Sequence, residues 1–466
     1  MQKNRRPYDT RGAASTAAPV VVIAPDKFRG SMTAGEAAAA LADAVRAVLP
    51  NAHISLFPMS DGGEGTIEGL RSAGAEIRGR QVSGPLGQPV FARWAQLGTV
   101  HYVEAAQACG LELVTADEER RAVRATSFGV GELLRTAAEG SPRRIVVGLG
   151  GTASTDGGFG IACALGYGFL DRHCRPLPAH PDSLSQVWEI VPPAGAPLGD
   201  TELIAATDVD NPLLGEEGAA AVFAPQKGAS PEEVDELESR LVGWSAAISR
   251  SFGRDVAGLR GAGAAGGIAG GLMGLCHART EPGARLMIDL LGVPHAVRRA
   301  DLVITGEGSL DAQTVRGKVP VSVARLARAA GANVIAVAGR IDRTNAQVEH
   351  LFDAMGELSA ETRTGEDSFN DAVALAERLT RRLVTDWFRS TWGTGSRHDS
   401  DRSIAPPGVP CERPRAESAG RLHEVDGDRP YRGRPPEEGP QCCQLRGSGD
   451  SRDHANSISA HPVCGS

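Results

Sequence analysis

Short apolar runs alternate with glycine-containing polar loops along most of this chain. The first two runs, Val20–Ala24 and His53–Phe57, are predicted to be buried strands because turn residues bound each of them. A helix over 34–49 is predicted after the first strand, since Thr33 and Glu36 form a T-x-x-E capping box ahead of an apolar stripe. Two successive strand–loop–helix units predict a parallel sheet covered by helices.

The pattern changes after residue 84 and returns near residue 301. Short alternating segments over 84–108 favour antiparallel strands, as at the start of a second domain. Further strands are predicted at 145–147, 302–305 and 333–338, and further helices from Glu64 and over 231–249, 321–330 and 370–388. The first and last thirds are therefore predicted to be two halves of one sheet, with the middle third inserted between them.

The two ends and the overall composition exclude several classes of protein. Residues 1–18 are predicted to be a flexible leader, and residues 391–466, rich in Pro, Gly, Ser and charge, are expected to be disordered. The net charge of −8 provides no basic surface for nucleic acid. No apolar run approaches the roughly 18 residues of a membrane helix, so we expect a cytoplasmic protein. Eight cysteines without metal-type spacing predict neither zinc nor a disulfide framework.

The glycine-rich segment over 145–165 is the strongest local signal for a ligand. An apolar strand leads into a loop with six glycines, and an apolar segment that can begin a helix follows. Glycine lets backbone N–H groups approach a ligand closely, and a helix N-terminus favours an anion. Thr152 and Ser154 add hydroxyl donors, and Asp156 adds a carboxylate that can accept a proton or hold Mg²⁺.

Five loops combine glycine with acidic, hydroxyl or lysine side chains: 25–31, 60–66, 150–158, 207–228 and 306–318. The chain has four lysines, and three of them lie in these loops, where a compact cation suits phosphate oxygens. The candidate acids are Asp61, Asp156, Asp208, Asp210, Glu307 and Asp311, and the candidate cations are Lys27, Arg29, Lys227, Lys318 and Arg340. Phosphoryl transfer requires such groups, so the loops together predict this chemistry.

Other nucleotide motifs fit less well. The G-x-G-x-x-G over 261–266 does not follow a buried strand, and no G-x-x-x-x-G-K-[ST] occurs. Three alternatives stay open: a kinase of another small hydroxy acid, an NAD-dependent hydroxy-acid dehydrogenase, and a non-catalytic hydroxy-acid sensor.

The motifs as a set resemble the type I glycerate kinase family, in collinear order over about 20–388. They are APDKFRGS, SDGGEGT, GPLG, EAAQACGL, GLGGTASTDGG, TDVDNPLLG, FAPQKGA, GAGAAGG and GEGSLDAQTVRGKVP. The resemblance implies phosphorylation of D-glycerate with ATP and Mg²⁺, the 2-phosphoglycerate product being favoured over 3-phosphoglycerate. It also implies a flavodoxin-like α/β domain (19–84 and 294–390) interrupted by a second α/β domain (85–293). The oligomeric state is left open, with a homodimer as one candidate.

The family motifs and the chemistry of the loops assign provisional roles. Asp208 is the first choice for the base on the glycerate hydroxyl and Asp61 the second, with Lys27 as a catalytic cation. Arg29, Arg340 and Asn211 are expected to bind substrate. The groups expected to bind the nucleotide are Gly150, Gly151, Thr152, Ser154, Gly157, Gly158, Lys227 and Lys318, and those expected to bind the metal are Asp156, Glu307 and Asp311.

Overall fold

Two β-sheets organise the computed structural model. It describes residues 18–28, 30–60, 62–63, 65–114, 123–311, 318–343, 350–364 and 367–392. In chain order the strands are β1 (Val20–Pro25), β2 (His53–Leu56), β3 (Glu76–Ser83), β4 (Pro89–Leu97), β5 (Val100–Glu104), β6 (Arg144–Gly148), β7 (Gly168–Leu170), β8 (Glu189–Val191), β9 (Glu202–Ala206), β10 (Arg279–Glu281), β11 (Leu302–Leu310), β12 (Asn333–Ile341) and β13 (Ala354–Glu357).

The helices are α1 (Ala34–Val48), α2 (Thr66–Ser72), α3 (Ala106–Cys109), α4 (Phe128–Ala138), α5 (Phe159–Ala164), α6 (Ala219–Phe223), α7 (Pro231–Phe252), α8 (Ile268–Cys276), α9 (Gly283–Leu290), α10 (Val293–Val297), α11 (Val319–Ala329) and α12 (Ala372–Trp387). The five predicted helices are present, as α1, α2, α7, α11 and α12, and α5 follows the glycine-rich loop. The capping box before α1 is confirmed: Thr33 Oγ1 accepts from the Glu36 N–H and Glu36 Oε2 accepts from the Thr33 N–H.

The first lobe is a five-stranded parallel sheet in the order β13-β12-β11-β1-β2. The order corresponds to the flavodoxin-like 2-1-3-4-5 arrangement, with the change of direction between β1 and β11. Alternate side chains of β1 enter different cores: Val21 and Ile23 pack with α1 and α12, whereas Val22 and Ala24 pack with α11. The predicted α/β fold with parallel sheets is therefore confirmed.

The second lobe is a six-stranded sheet in the order β10-β9-β6-β5-β4-β3. Strands β5, β6, β9 and β10 are parallel, and β4 runs antiparallel to both β3 and β5. The β4–β5 pair lies within 84–108, where the alternation predicts antiparallel strands. One face packs on α4 and α8. The other face places Tyr102, Val146 and Ile204 in the same core as α2 and α9, so this sheet packs directly against the first lobe.

Two predicted boundaries differ from the observed elements. Strand β11 continues to Leu310, so Gly306–Leu310, predicted to be a loop, pairs with β12 instead. Strand β3 lies in the second sheet although the predicted domain boundary at 84/85 assigns it to the first domain. The two-domain division itself stays a prediction, and sheet membership would move its first boundary to before Glu76.

Within the described ranges, no helix has both the length and the apolar character needed to cross a bilayer. The flexible leader, apart from residue 18, and almost all of the predicted disordered tail lie outside the described residues.

Candidate active site

The carboxyl ends of β1 and β11 meet where the strand order of the first sheet reverses, which is where α/β sheets of this type bind ligands. The Asp26 N–H donates to the Gly306 carbonyl at 2.8 Å, so the two loops start side by side. Asp26 is buried, and its Oδ1 accepts from the Lys27 N–H at 2.7 Å. Glu307 is buried on β11, and Lys318 Nζ lies 3.9 Å from its Oε2. Two acids and two lysines therefore lie at the switch point.

The end of β12 lies beside this point. Ser309 of β11 is paired in register with Arg340 of β12, and the Arg340 side chain is exposed. Asp311 is half-buried, with its Oδ2 3.5 Å from Ser309 Oγ. Alternate residues of a strand share a face, so Glu307 and Ser309 lie on the same face of β11. A substrate at this edge has both carboxylates and a guanidinium within the same group of loops.

The loop after β2 connects the carboxyl ends of the two sheets. Tyr102 Oη donates to the Gly62 carbonyl at 2.5 Å, and Glu104 Oε1 accepts from the Ile67 N–H at 2.7 Å. A Cβ on Gly148, the last residue of β6, would lie 2.0 Å from the Gly62 carbonyl oxygen. No side chain fits there, which explains a glycine at the end of that strand. The two carboxyl edges therefore share one region of the molecule.

The loop after β9 carries the predicted base. Asp208 is exposed two residues after Ala206, the last residue of β9. Asp210 is also exposed and pairs with Arg260 at 2.6 Å. Asn211 Nδ2 donates to the Glu217 carbonyl at 2.8 Å, so this amide also helps to fold its own loop.

The glycine-rich loop is mostly internal, contrary to a phosphate cradle along its whole length. Gly150 and Gly151 are exposed, but residues 152–160 are all buried. The N–H groups of Ala153 and Gly157 donate to the carbonyls of Cys109 and Gly266. A Cβ on Gly266 would lie 2.1 Å from the Ser154 carbonyl oxygen. Several glycines here allow backbone to pack on backbone, and the part of the loop that faces outward is Gly150 and Gly151.

Asp156 is a hydrogen-bond acceptor inside this loop. Its Oδ2 accepts from the Ser127 N–H and Ser127 Oγ, both at 2.8 Å, and from the Gly160 N–H at 3.1 Å. Its Oδ1 accepts from the Gly158 N–H at 3.1 Å. The carboxylate thus joins the start of α5 to the start of α4, which is an arrangement expected of a structural acid.

Lys227 is also internal. Its side chain is buried and Nζ donates to the Ser154 carbonyl at 2.6 Å. Burial lowers the pKa of Lys227 to about 8, and the neighbouring Cys109 and Asp156 oppose that shift. Burial also raises the pKa of the Cys109 thiol. A phosphate outside the protein therefore has no direct access to this ammonium.

Some predicted groups do not gather, and others lie outside the described ranges. In the part of the chain that the structure describes, no three Asp, Glu, His or Cys side chains form a group able to hold a metal ion, so Asp156, Glu307 and Asp311 are not such a trio. Arg29 and Asp61 lie outside the described residues.

Sequence reasoning did not identify four side chains that organise these loops: Tyr102, Glu104, Ser127 and Trp244. Tyr102 and Glu104 lie on β5, whose sequence pattern indicates a buried strand and nothing about a site. Ser127 and Trp244 act on residues 29 and 87 positions away, a separation for which one sequence contains no signal.

These features define a two-lobed α/β enzyme whose acids and lysines lie at the carboxyl edge of a flavodoxin-like sheet. The sequence profile of the glycerate kinase family matches residues 21–388. The chain therefore belongs to the glycerate kinase family, and it is a kinase.

Individual relatives agree with this assignment. A glycerate kinase from Halalkalibacterium halodurans is 39% identical over 80% of this chain and 99% of its own. A glycerate 2-kinase from Escherichia coli is 37% identical over 78% of this chain and 97% of its own. A solved structure from Salmonella typhimurium LT2, of a protein assigned as glycerate kinase 2, has a TM-score of 0.69 and 36% identity, covering 80% of this chain and 98% of that one. The predicted family is thus confirmed.

Proposed function

We propose that this protein transfers the γ-phosphoryl group of ATP to D-glycerate and forms 2-phosphoglycerate rather than 3-phosphoglycerate. The observation that carries the proposal is the grouping of acids and lysines at the β1–β11 switch point: Asp26 accepts from the backbone N–H of Lys27, and Lys318 Nζ lies 3.9 Å from Glu307 Oε2. Phosphoryl transfer is catalysed mainly by positioning and by charge neutralisation, which these groups supply. The choice of product follows the E. coli relative, which is named a glycerate 2-kinase.

The substrate hydroxyl needs a base, and Asp208 remains the first candidate, with Asp61 second. The Asp208 carboxylate would take the hydroxyl proton while the hydroxyl oxygen forms a bond to the γ-phosphorus and ADP leaves. Exposure of Asp208 at the carboxyl end of β9 supports the role, because a base must reach the substrate. Lys27 and Lys318 would neutralise phosphate charge.

Arg340 and Asn211 remain the described candidates for the glycerate carboxylate, together with Arg29. The exposed guanidinium of Arg340 supports a two-pronged contact with a carboxylate. Gly150 and Gly151 are the exposed part of the glycine-rich loop and are our candidates for contact with the nucleotide phosphates.

Mg²⁺ fits part of the predicted ligand set. This ion is usually bound by one or two carboxylates, with phosphate oxygens and waters completing its coordination. Glu307 and Asp311, near the end of one strand, meet that requirement, whereas both oxygens of Asp156 already accept hydrogen bonds. When bound, the ion would neutralise charge on the transferred phosphoryl group.

The test is release of ADP over a panel of small hydroxy acids, with ³¹P NMR to distinguish 2- from 3-phosphoglycerate. We expect Asp208→Asn to lower kcat by about 10² or more, because general-base catalysis contributes that much. Asp210→Asn is the matched control, since Asp210 lies two residues away and pairs with Arg260. A near-normal kcat in Asp208→Asn would remove this residue from the role.

Activity on another hydroxy acid instead of glycerate would change the substrate but not the class of enzyme. The cytoplasmic location and the homodimer remain predictions.

A further inference from the structure

Lys227 belongs to an element that contacts the glycine-rich loop from inside the protein. It is the last residue of a 3₁₀ turn, Pro225–Lys227, and Gly228 follows with a φ of +90°. Its buried ammonium donates to the Ser154 carbonyl at 2.6 Å. The chain then turns into α7, the 22-residue helix of the second lobe.

Helix α7, which follows this turn, supplies a second buried donor to the glycine-rich loop. Trp244, on α7, donates its indole Nε1–H to the Gly157 carbonyl at 2.8 Å. The indole is fully buried, and its edge lies against Gly157, where a Cβ would be 2.6 Å from Trp244 Cδ1. Two side chains from one turn-and-helix unit therefore hold two carbonyls of one loop, on either side of Asp156.

The opposite end of the loop is the part that is exposed. Gly150 and Gly151 lie four and three residues before Ser154. The N–H of Ala153, which directly precedes Ser154, donates to the Cys109 carbonyl. Backbone from Gly266 packs against the Ser154 carbonyl from another direction. If the ammonium were removed, the Ser154 carbonyl would be left buried without this donor, and the peptide would have to rotate to find another. Because Gly151 lies only three residues before Ser154, a rotation of this peptide would also displace the backbone of Gly151.

We propose that Lys227 is a positioning residue: it fixes the glycine-rich loop so that Gly150 and Gly151 present their backbone to the phosphates of the nucleotide. This role replaces the direct phosphate contact that the motif suggested, and it rests on the proposed function for the identity of the ligand. Lys227 acts through the loop and not on the reacting atoms.

The experiment compares Lys227→Met with Arg240→Met. Methionine keeps much of the length of the side chain and removes the ammonium. Arg240 lies on α7, is largely buried, and donates from Nη1 to the Val123 carbonyl, so its variant removes a similar cation–carbonyl contact away from the loop. Measured quantities are KM for MgATP, KM for glycerate, kcat, and amide hydrogen exchange in peptides over 148–160 and over α12.

For Lys227→Met we expect KM for MgATP to rise about tenfold or more, since small displacements of a binding group have effects of this size. The glycerate KM should stay within about twofold, because a loop held in place for one ligand changes binding of that ligand. Exchange should accelerate over 148–160 and stay unchanged over α12. Arg240→Met should leave all four quantities near wild type.

Unchanged exchange over 148–160 together with an unchanged KM for MgATP would overturn the proposal, and so would an equal rise in Arg240→Met. If Lys227→Met does not fold, Trp244→Phe replaces it: one aromatic ring stays, the five-membered ring with its N–H is lost, and the same pattern of changes is expected. Absence of glycerate-dependent ADP release in the wild type would refute the proposed function instead. In that event the affinity for a fluorescent ATP analogue and the exchange data still test Lys227.

Discussion

Replacing Asp156 with asparagine distinguishes a carboxylate that holds the loop from one that holds a metal ion. The side chain is 5% exposed, and its two oxygens accept four hydrogen bonds from the starts of α4 and α5. Asparagine has nearly the same shape but only one acceptor oxygen. Whichever way the amide is oriented, its NH₂ group faces at least one backbone N–H.

The loss in free energy of unfolding follows from these four hydrogen bonds. With the amide oxygen in the place of Oδ2, three hydrogen bonds remain, each weaker by roughly 1 kcal/mol because the acceptor is no longer charged. The Gly158 N–H then faces a donor and loses its partner, which costs about 1–3 kcal/mol. The free energy of unfolding should fall by roughly 4–6 kcal/mol. For a domain the size of residues 21–388, that lowers Tm by about 5–8 °C.

Thermal unfolding followed by circular dichroism, with and without MgCl₂, measures this effect. We expect the loss of about 5–8 °C in EDTA as well as in magnesium, because the bonds are internal. Asp43→Asn is the control: Asp43 lies exposed on α1 and pairs with Arg46, so its Tm should change by about 1 °C or less. An unchanged Tm in EDTA together with a lost stabilisation by magnesium would contradict the structural role of Asp156 and support it as a metal ligand.

Two further predictions concern the contacts between the lobes and the buried lysine. Tyr102→Phe removes the hydroxyl that positions the Gly62 loop, so kcat/KM should fall about 3- to 10-fold. Tyr167→Phe is the control: it loses a hydroxyl bond to the Leu275 carbonyl and should lose stability without losing activity. Equal kinetics of the two variants would contradict this. Because the folded pKa of Lys227 is depressed to about 8, the unfolded chain binds more protons between pH 8 and 10, and stability rises with pH there. Urea unfolding should show wild type gaining about 2 kcal/mol over Lys227→Met from pH 7.5 to 9.5, and no relative gain would contradict the burial.

Local patterns were sufficient for strands β1, β2, β6, β11 and β12 and for the helices α1, α7, α11 and α12. Strand β1 and helix α1 follow from a β-branched run and a capping box, both of which act over a few residues. The extension of β11 over Gly306–Leu310 was not predictable in this way, because two glycines give the segment little strand propensity. It is a strand because β12 offers it a hydrogen-bonding partner, which is information from the tertiary structure.

The candidate site was predictable to the level of loops but not of side-chain direction. The rule that ligands bind beyond the carboxyl ends of parallel strands correctly groups the loops after β1 and β11. It does not say whether an acid or a lysine in such a loop points outward. Asp156 and Lys227 lie in glycine-containing loops just as Asp208 does, yet both are buried whereas Asp208 is exposed. The groups that they contact, Ser127 and the Ser154 carbonyl, are 29 and 73 residues away along the chain.

Glycine content has two physical causes in this chain, and they lead to different conclusions about function. At Gly148 and Gly266 the missing Cβ allows one backbone to lie directly on another, and at Gly157 it makes room for the Trp244 side chain, in each case at distances where any side chain would collide. At Gly150 and Gly151 the backbone is exposed, and there the same freedom can serve a ligand. A sequence motif does not separate the two cases, but burial does. We therefore propose that the exposed glycines and the acids and lysines at the switch point carry the chemistry, while buried glycines such as Gly148 let the loops of the two sheets lie close together.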